Sequence, residues 1–261
     1  MPAAIAIACT LGIIALVIGL SVWADKRRLK ALTAMAEGLG WTYDPKAVGF
    51  VPGSGAFALF DIGRARRSSN LLRGTFGGRD VEVFDYSYTT GGGKNQHTSL
   101  QTVVHIEDPA LSLPWFSVRP ENVMHKMMGA FGYQDIDLPE NPEFSKRFLL
   151  RGSDEAAIRE RFVDALPDIL DANRGIGVDG GGGHLYVFLP GRRPKVDAFP
   201  EWLTQADEVI RAFYDTAPSA YAAPPPRLAD AGADLSFDTG EGSETEGTPP
   251  QPLPPLPSAS F

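Results

Sequence analysis

Ala3–Trp23 (AAIAIACTLGIIALVIGLSVW) is one unbroken apolar run whose only ionisable side chain is Cys9. As a helix rising about 1.5 Å per residue it spans about 31 Å, close to the roughly 30 Å hydrocarbon core of a bilayer. A helix satisfies every backbone polar group internally, so it is the expected form of a lone span. Apolar periodicity then continues past the run. Leu29, Leu32, Met35, Ala36 and Leu39 keep i, i+3, i+4 spacing, which predicts that the same helix continues to a glycine stop at Gly38 or Gly40.

Beyond Trp41 the period changes. Short β-type segments follow at Phe57–Ile62, Asn70–Phe76, Asp80–Thr89, His97–Glu107 and Trp115–Val118. Gly77-Gly78, Gly91-Gly92-Gly93 and Asp108-Pro109 punctuate them, which predicts an antiparallel meander. Helical spacing returns at Glu121–Gly129. It returns again after a cap at Ser153, with Ile158, Phe162, Leu166 and Ile169 on one face and Pro167 set to kink or split the helix. A hairpin is expected from Gly175–Asp179 and His184–Pro190, joined by Gly180–Gly183. A last amphipathic helix carries Phe199, Trp202, Leu203, Ala206, Val209, Ile210 and Phe213, with Pro200 in its first turn.

Composition separates three parts. The chain has 261 residues, net charge −8, 22 prolines and one cysteine. One cysteine excludes an internal disulfide framework and a multi-cysteine zinc site. The acidic balance argues against nucleic acid as a partner. The stretch after Ala222 is Pro-rich, with Arg227 set against six acidic residues, a composition expected to stay disordered. The expected division is an anchor with a basic flank (1–30), an α+β domain (31–221) and a disordered, acidic, Pro-rich tail (222–261). The fold class is therefore α+β: a transmembrane helix, one domain with an antiparallel β-meander and packed helices, and a tail.

Lys26, Arg27, Arg28 and Lys30 follow the apolar run, and only Met1, Pro2 and the α-amino group precede it. The positive-inside rule puts the side after the span in the cytoplasm. A cleaved signal peptide, and with it an exported domain, is the competing reading. It requires a basic n-region and a shorter apolar core, and this run has neither.

Motifs for chemistry are weak. Gly175-Ile-Gly177-Val-Asp-Gly180 has the letters of a dinucleotide loop, but a strand rather than a helix follows it, so a hairpin is expected. Gly91–Lys94 lacks the remaining Walker positions and reads as a hairpin tip. Ser54 lacks the glycines of a nucleophile elbow. His97 and His105 lie about 26 Å apart along a strand, too far to share a metal. His125 and His184 are isolated. Asp85 is expected to hydrogen-bond Tyr86, Tyr88 or Arg79 on its strand. No nucleophile, base and orienter assemble from spacing, and no cofactor or metal is called for. Two surface features stand out. Arg64, Arg66 and Arg67 form a basic loop suited to anionic lipid. Pro249, Pro252, Pro254, Pro255 and Pro257 build overlapping P-x-x-P repeats suited to an aromatic groove.

The chain resembles an uncharacterised family of bacterial single-span membrane proteins. The resemblance rests on the apolar span, Gly40–Tyr43 (GWTY) and Asn70–Tyr88 (NLLRGTFGGRDVEVFDYSY). It continues through Thr102–Glu121 (TVVHIEDPALSLPWFSVRPE), Glu143–Leu150 (EFSKRFLL) and Leu189–Arg192 (LPGR). It implies a membrane-tethered soluble domain and supplies no activity. The resulting expectation is a non-enzymatic, membrane-tethered cytoplasmic domain. Its membrane-surface contacts are Lys26, Arg27, Arg28, Lys30, Arg64, Arg66 and Arg67. Its partners are the lipid bilayer and a protein recruited by the five tail prolines. The alternative is a membrane-bound enzyme whose site forms only in three dimensions.

Overall fold

The computed structural model describes residues 2–47, 57–121, 135–163 and 165–216, all within one compact unit, Met1–Arg227. Beyond Glu121 the expected helix Glu121–Gly129, with His125, lies outside the described residues, as do Ser54, the tail and its five prolines.

Helix α1 (Pro2–Leu39) is a single rod of 38 residues, about 57 Å long. Its end has a physical cause. Gly40 adopts φ +67°, and the Trp41 N–H donates back to the Ala36 carbonyl at 2.8 Å. This left-handed C-terminal cap is one that glycine adopts without steric cost.

Eight strands form one sheet, antiparallel throughout: β1 (Thr42–Asp44), β2 (Arg64–Phe76), β3 (Arg79–Thr90), β4 (His97–Glu107), β5 (Leu113–Pro120), β6 (Phe148–Gly152), β7 (Gly177–Gly182) and β8 (His184–Phe188). The order is β1-β2-β3-β4-β8-β7-β5-β6. Consecutive pairing holds through β4. The β7–β8 hairpin then inserts between β4 and β5, although only a 3-10 turn at Pro109–Leu111 joins those two strands. The hairpin's turn lies against that crossing: the Asp108 N–H donates to the Gly183 carbonyl at 2.7 Å, and a Cβ on Gly183 would come within 3.0 Å of the Asp108 carbonyl.

Short helices and one long one complete the fold: α2 (Ala58–Asp61), α3 (Pro142–Ser145), α4 (Glu155–Arg161), α5 (Leu166–Ala172) and α6 (Phe199–Asp215). Two departures from the sequence reading are local. Phe57–Ile62, expected as a strand, is a turn of helix, because the Leu59 N–H is taken by the buried Asp179 carboxylate at 2.7 Å. The cap of α4 is Asp154, not Ser153: its carboxylate accepts from the Ala157 N–H at 3.0 Å. Pro167 sits in the first turn of α5 and separates it from α4, where a missing N–H carries little penalty.

Period-2 alternation gives the sheet two buried faces. Val81, Val83, Val104, Ile106, Phe116, Val118, Leu185 and Val187 pack with Leu32 and Ala36 of α1 and with Trp202, Leu203, Val209, Ile210 and Phe213 of α6. On the other face Phe84, Tyr86, Tyr88, Val103, Trp115, Tyr186 and Phe188 lie under Phe57, Leu59, Phe60 and Ile62. The two faces together account for the glycine run of β7. A Cβ on Gly180 would stand 2.4 Å from the Phe116 ring, and one on Gly181 would stand 2.5 Å from the Trp115 ring. The G-x-G-x-x-G letters thus end in a strand pressed between aromatic rings, with the left-handed turn residue at Gly182 (φ +59°).

Candidate membrane-proximal site

The basic flank of α1 divides by function. Lys26, Arg27 and Lys30 are exposed, and the Arg27 guanidinium lies 5.5 Å over the Trp23 ring. Arg28 turns inward. Its Nε and Nη2 donate to Asp85 Oδ2 and Oδ1, both at 3.0 Å, and its Nη1 donates to the Pro194 carbonyl at 2.8 Å. A bidentate guanidinium–carboxylate pair fixes orientation as well as distance. Arg28 is thus a clamp between α1 and the sheet, as well as a member of the basic flank.

Asp85 is only 2% exposed and is held from every side. Thr102, its cross-strand neighbour on β4, donates to Oδ1 at 2.7 Å. Asn70 Nδ2 donates to Oδ2 at 2.9 Å, and Arg193 Nη1 approaches the same oxygen at 3.5 Å. Asn70 reaches it from a bulge in β2, where the register shifts between Ser69 and Leu72 and Asn70 takes φ +54°. Asparagine tolerates that conformation better than most residues. Tyr43 donates to the Asn70 Oδ1 at 2.7 Å. Burial, followed by the Asp85 charge, pushes the Tyr43 hydroxyl up to about 12, so it stays a donor. The sequence reading paired Asp85 with Tyr86, Tyr88 or Arg79. The structure replaces all three with Arg28, Thr102, Asn70 and Arg193, which come from four other segments.

This clamp fixes the direction of α1. Arg28 meets Asp85, while Trp41, just past the helix end, lies over Gly74, whose register partner is Val81. From Arg28 towards its N-terminus, α1 therefore heads the way β3 runs from Asp85 to Thr90. Arg64, Arg66 and Arg67 lie at that same end of the sheet. They form the start of β2, not the loop expected from sequence. Arg64 donates to the Gly91 carbonyl, and Arg66 to the carbonyls of Gly63 at 3.0 Å and Asp61 at 2.7 Å. All three side chains are exposed.

Neither a family model nor a curated protein matches the sequence. Among solved structures, the crystal structure of the mycobacterial trehalose monomycolate transport factor A, TtfA, is similar at TM-score 0.46 and 10% identity. The match covers 78% of this chain and 98% of that one.

On the opposite face the structure joins residues that the sequence kept apart. His105 Nδ1 lies 3.0 Å from Glu82 Oε2, and its Nε2 lies 3.2 Å from His184 Nδ1. Arg73 Nε donates to the other Glu82 oxygen at 2.8 Å. His105 stacks on Tyr186 with centroids 4.4 Å apart. His97, by contrast, sits exposed at the start of β4. Burial raises the Glu82 carboxyl, but hydrogen bonds from His105 and Arg73 outweigh it and hold the group below its ordinary value. Burial, then the charge of His105, lowers His184. Among the described residues no three His, Cys, Asp or Glu side chains are grouped to hold a metal. A hydrogen bond across that 3.2 Å contact needs one ring nitrogen that carries hydrogen facing one that does not.

The depressed value of His184 sets a sign. Below the unfolded-state value near 6.5, the unfolded chain binds the proton more readily than the folded one, so folded-state stability falls as pH drops. Thermal melts between pH 7 and 5 are expected to show a steeper loss for the wild type than for His184→Gln. Parallel pH dependence in the two would show that this ring does not carry the effect.

Proposed function

We propose that the chain is a single-span membrane protein whose α+β domain stands at the cytoplasmic surface in a fixed orientation. There it acts without chemistry of its own, as a module for binding a protein or the membrane surface. The observation that carries this reading is the state of α1. Leu11 is 61% exposed and Trp23 59%, and Ile13, Leu16, Val17 and Leu20 are likewise bare. Among the described residues this is the one helix long and apolar enough to cross a bilayer. Large apolar side chains exposed along one helix require another apolar phase, and lipid supplies it at this length. The same helix continues without a break into the Arg28–Asp85 clamp, so the span and the domain move together.

The geometry supports a role for the second basic group. Arg28 lies five residues, about 7.5 Å, past Trp23. Thr89, the register partner of Arg64, lies four residues, about 13 Å, beyond Asp85 in the same direction. Arg64, Arg66 and Arg67 therefore stand at the membrane-facing end of the sheet, beyond Lys26 and Arg27, with Arg67 near the level of Trp23 and Arg64 about 5–6 Å past it, so that a tilt of the helix keeps them among the headgroups. Anionic lipid attracts such residues by about 1 kcal/mol each. The five tail prolines complete the proposal as a recruitment segment, brought to high local concentration by the tether.

The test is topology. The full chain, carrying Ala223→Cys in a Cys9→Ser background, should resist alkaline carbonate extraction. It should also react with an impermeant maleimide only after cells are permeabilised. Labelling in intact cells would overturn the cytoplasmic placement. Recovery in the soluble fraction, or a mature chain beginning near Asp25, would overturn the tether.

A further inference from the structure

A groove of about 320 Å³ opens beside the clamp, between the residues that follow α5, the loop after β8 and the N-terminus of α6. Its lining includes Arg174, Arg192, Asn173, Glu201, Trp202 and Gln205, with Pro194 and Ala198 at one edge. Three independent features point to an anionic occupant.

The first is two lightly committed guanidiniums. Among the described residues Arg192 Nη2 reaches the Gly175 carbonyl alone, at 3.4 Å, and Arg174 holds Asp171 alone, through Nη2 to Oδ2 at 3.4 Å and Nε to the backbone carbonyl at 3.2 Å. Gly175 has a purpose here, since a Cβ would stand 2.2 Å from Arg192 Nη2. The second is Trp202, only 2% exposed, whose Nε1 finds no acceptor among the described residues. A buried indole N–H without a partner is unusual, because buried polar groups are almost always bonded. The third is the start of α6, a 17-residue helix. Its N-cap residue Ala198 offers no capping side chain, and Pro200 occupies the first turn. The positive end of the helix dipole meets the groove, partly offset by the Asp197 carboxylate, which accepts from the Ala198 N–H at 3.1 Å. Glu201 is the one acidic side chain in this lining. It limits the net positive charge, and it offers an acceptor to the hydroxyl or ammonium of a headgroup.

The position of the groove names the source of the anion. Pro194, at its edge, accepts from Arg28, which stands about 7.5 Å beyond Trp23 along α1. The headgroup layer extends about 5–7 Å past the hydrocarbon on each side. The Arg192 carbonyl accepts from the Thr102 N–H at 3.2 Å, beside Asp85, so the loop lies at the level of the clamp. We infer that this groove is a binding site for a phosphate-bearing lipid headgroup, with Arg174 and Arg192 on the phosphate and the N-terminus of α6 behind it. The inference rests on the membrane-tethered reading, which supplies the lipid.

The test uses the full chain in detergent micelles and calorimetric titration with four probes: dihexanoyl phosphatidylglycerol, dihexanoyl phosphatidylcholine, glycerol 3-phosphate and inorganic phosphate. The expected result is saturable binding of the phosphatidylglycerol probe, weakened about ten-fold or more in Arg174→Ala/Arg192→Ala, a loss of about 1.4 kcal/mol or more. Trp202→Phe should weaken it by a smaller factor while keeping the ring. A Lys146→Gln chain, altered at an exposed position just after α3, should bind as the wild type does. Undiminished binding in the double variant, or no binding of any probe, would overturn the site. Glycerol 3-phosphate or inorganic phosphate binding as tightly as the lipid probe would overturn the headgroup as occupant. Carbonate extraction of the same chains separates the two readings. Retention in the membrane without probe binding sinks the groove alone. A soluble chain that still binds the phosphatidylglycerol probe sinks the tether alone.

Discussion

Asp85→Ala is expected to destabilise the domain by about 2–4 kcal/mol and to release α1 from the sheet. The carboxylate is buried and accepts from Arg28, Thr102 and Asn70 within 3.0 Å. Removing it leaves two guanidiniums and two neutral donors without their acceptor. Leaving one side of a buried charged network unpaired costs about 3–5 kcal/mol. The figure here is smaller because Arg193 is 27% exposed and turns to water. Chemical denaturation measures the first effect. Spin labels at Ala34 on α1 and Glu208 on α6 measure the second, through the width of their distance distribution. Arg28→Leu should broaden that distribution similarly, because it cuts the same bidentate pair. The double variant Arg28→Leu/Asp85→Ala should fall short of the sum of the singles, as coupled partners do. An unchanged stability together with an unchanged distance would mean that packing of Leu32 and Ala36 alone holds the helix.

The functional consequence follows from which link is rigid. A span joined to its domain by a flexible linker samples all orientations. A span joined through a continuous helix and a bidentate clamp presents one end of the sheet. That end carries Arg64, Arg66 and Arg67, and the loop holding Arg192 lies beside the clamp itself. In the proposed arrangement the Asp85 network is therefore a positioning device for both basic surfaces, although it touches no partner.

The antiparallel sheet was legible because its signals are local. Gly77-Gly78 takes φ +58° and +80°, as a two-residue hairpin demands, and His97–Glu107 is rich in β-branched residues between two turn signals. The apolar span and the Leu32/Ala36 stripe were legible for the same reason. What escaped is what depends on distant partners. The insertion of β7–β8 beside β4 has no marker in the short Asp108–Ser112 connection. Phe57–Ile62 is apolar at positions that suit either period, and only the Asp179 carboxylate decides it. Leu29 and Leu39 continued the apolar stripe of α1, yet they remain 42% and 48% exposed, because the sheet is met only by the Leu32–Ala36 side. Arg28 stood in a basic run whose letters do not distinguish a solvated side chain from a clamp. Asp85 and Asn70 were visible only as polar interruptions of strands. A buried polar position opposite a bulge is the one sequence signal that could have marked them.

The other large effect belongs to the far face of the sheet. Arg119 and Asp179 form an ion pair with side chains 3% and 0% exposed. Arg119 Nη2 donates to Asp179 Oδ2 at 3.0 Å, and Nη1 pairs with Oδ1. The guanidinium also lies 4.4 Å from the Phe188 ring centroid. Asp179 Oδ2 further accepts from the Leu59 N–H, so the pair pins the segment that covers this face. Either Arg119→Leu or Asp179→Leu is expected to cost about 3–5 kcal/mol by stranding the remaining charge in an apolar surround. The double variant should cost less than either single, because a buried pair contributes little beyond the penalty of breaking it. Asp179→Leu removes the acceptor that set Phe57–Ile62 as a helical turn. Hydrogen exchange at Leu59 should therefore accelerate more than exchange in α6, which packs on the opposite face. If both singles stayed within 1 kcal/mol of the wild type, the aromatic cluster of Phe57, Phe60, Tyr86 and Tyr186 would be what fixes the cover, and the ion pair would be a passenger in it.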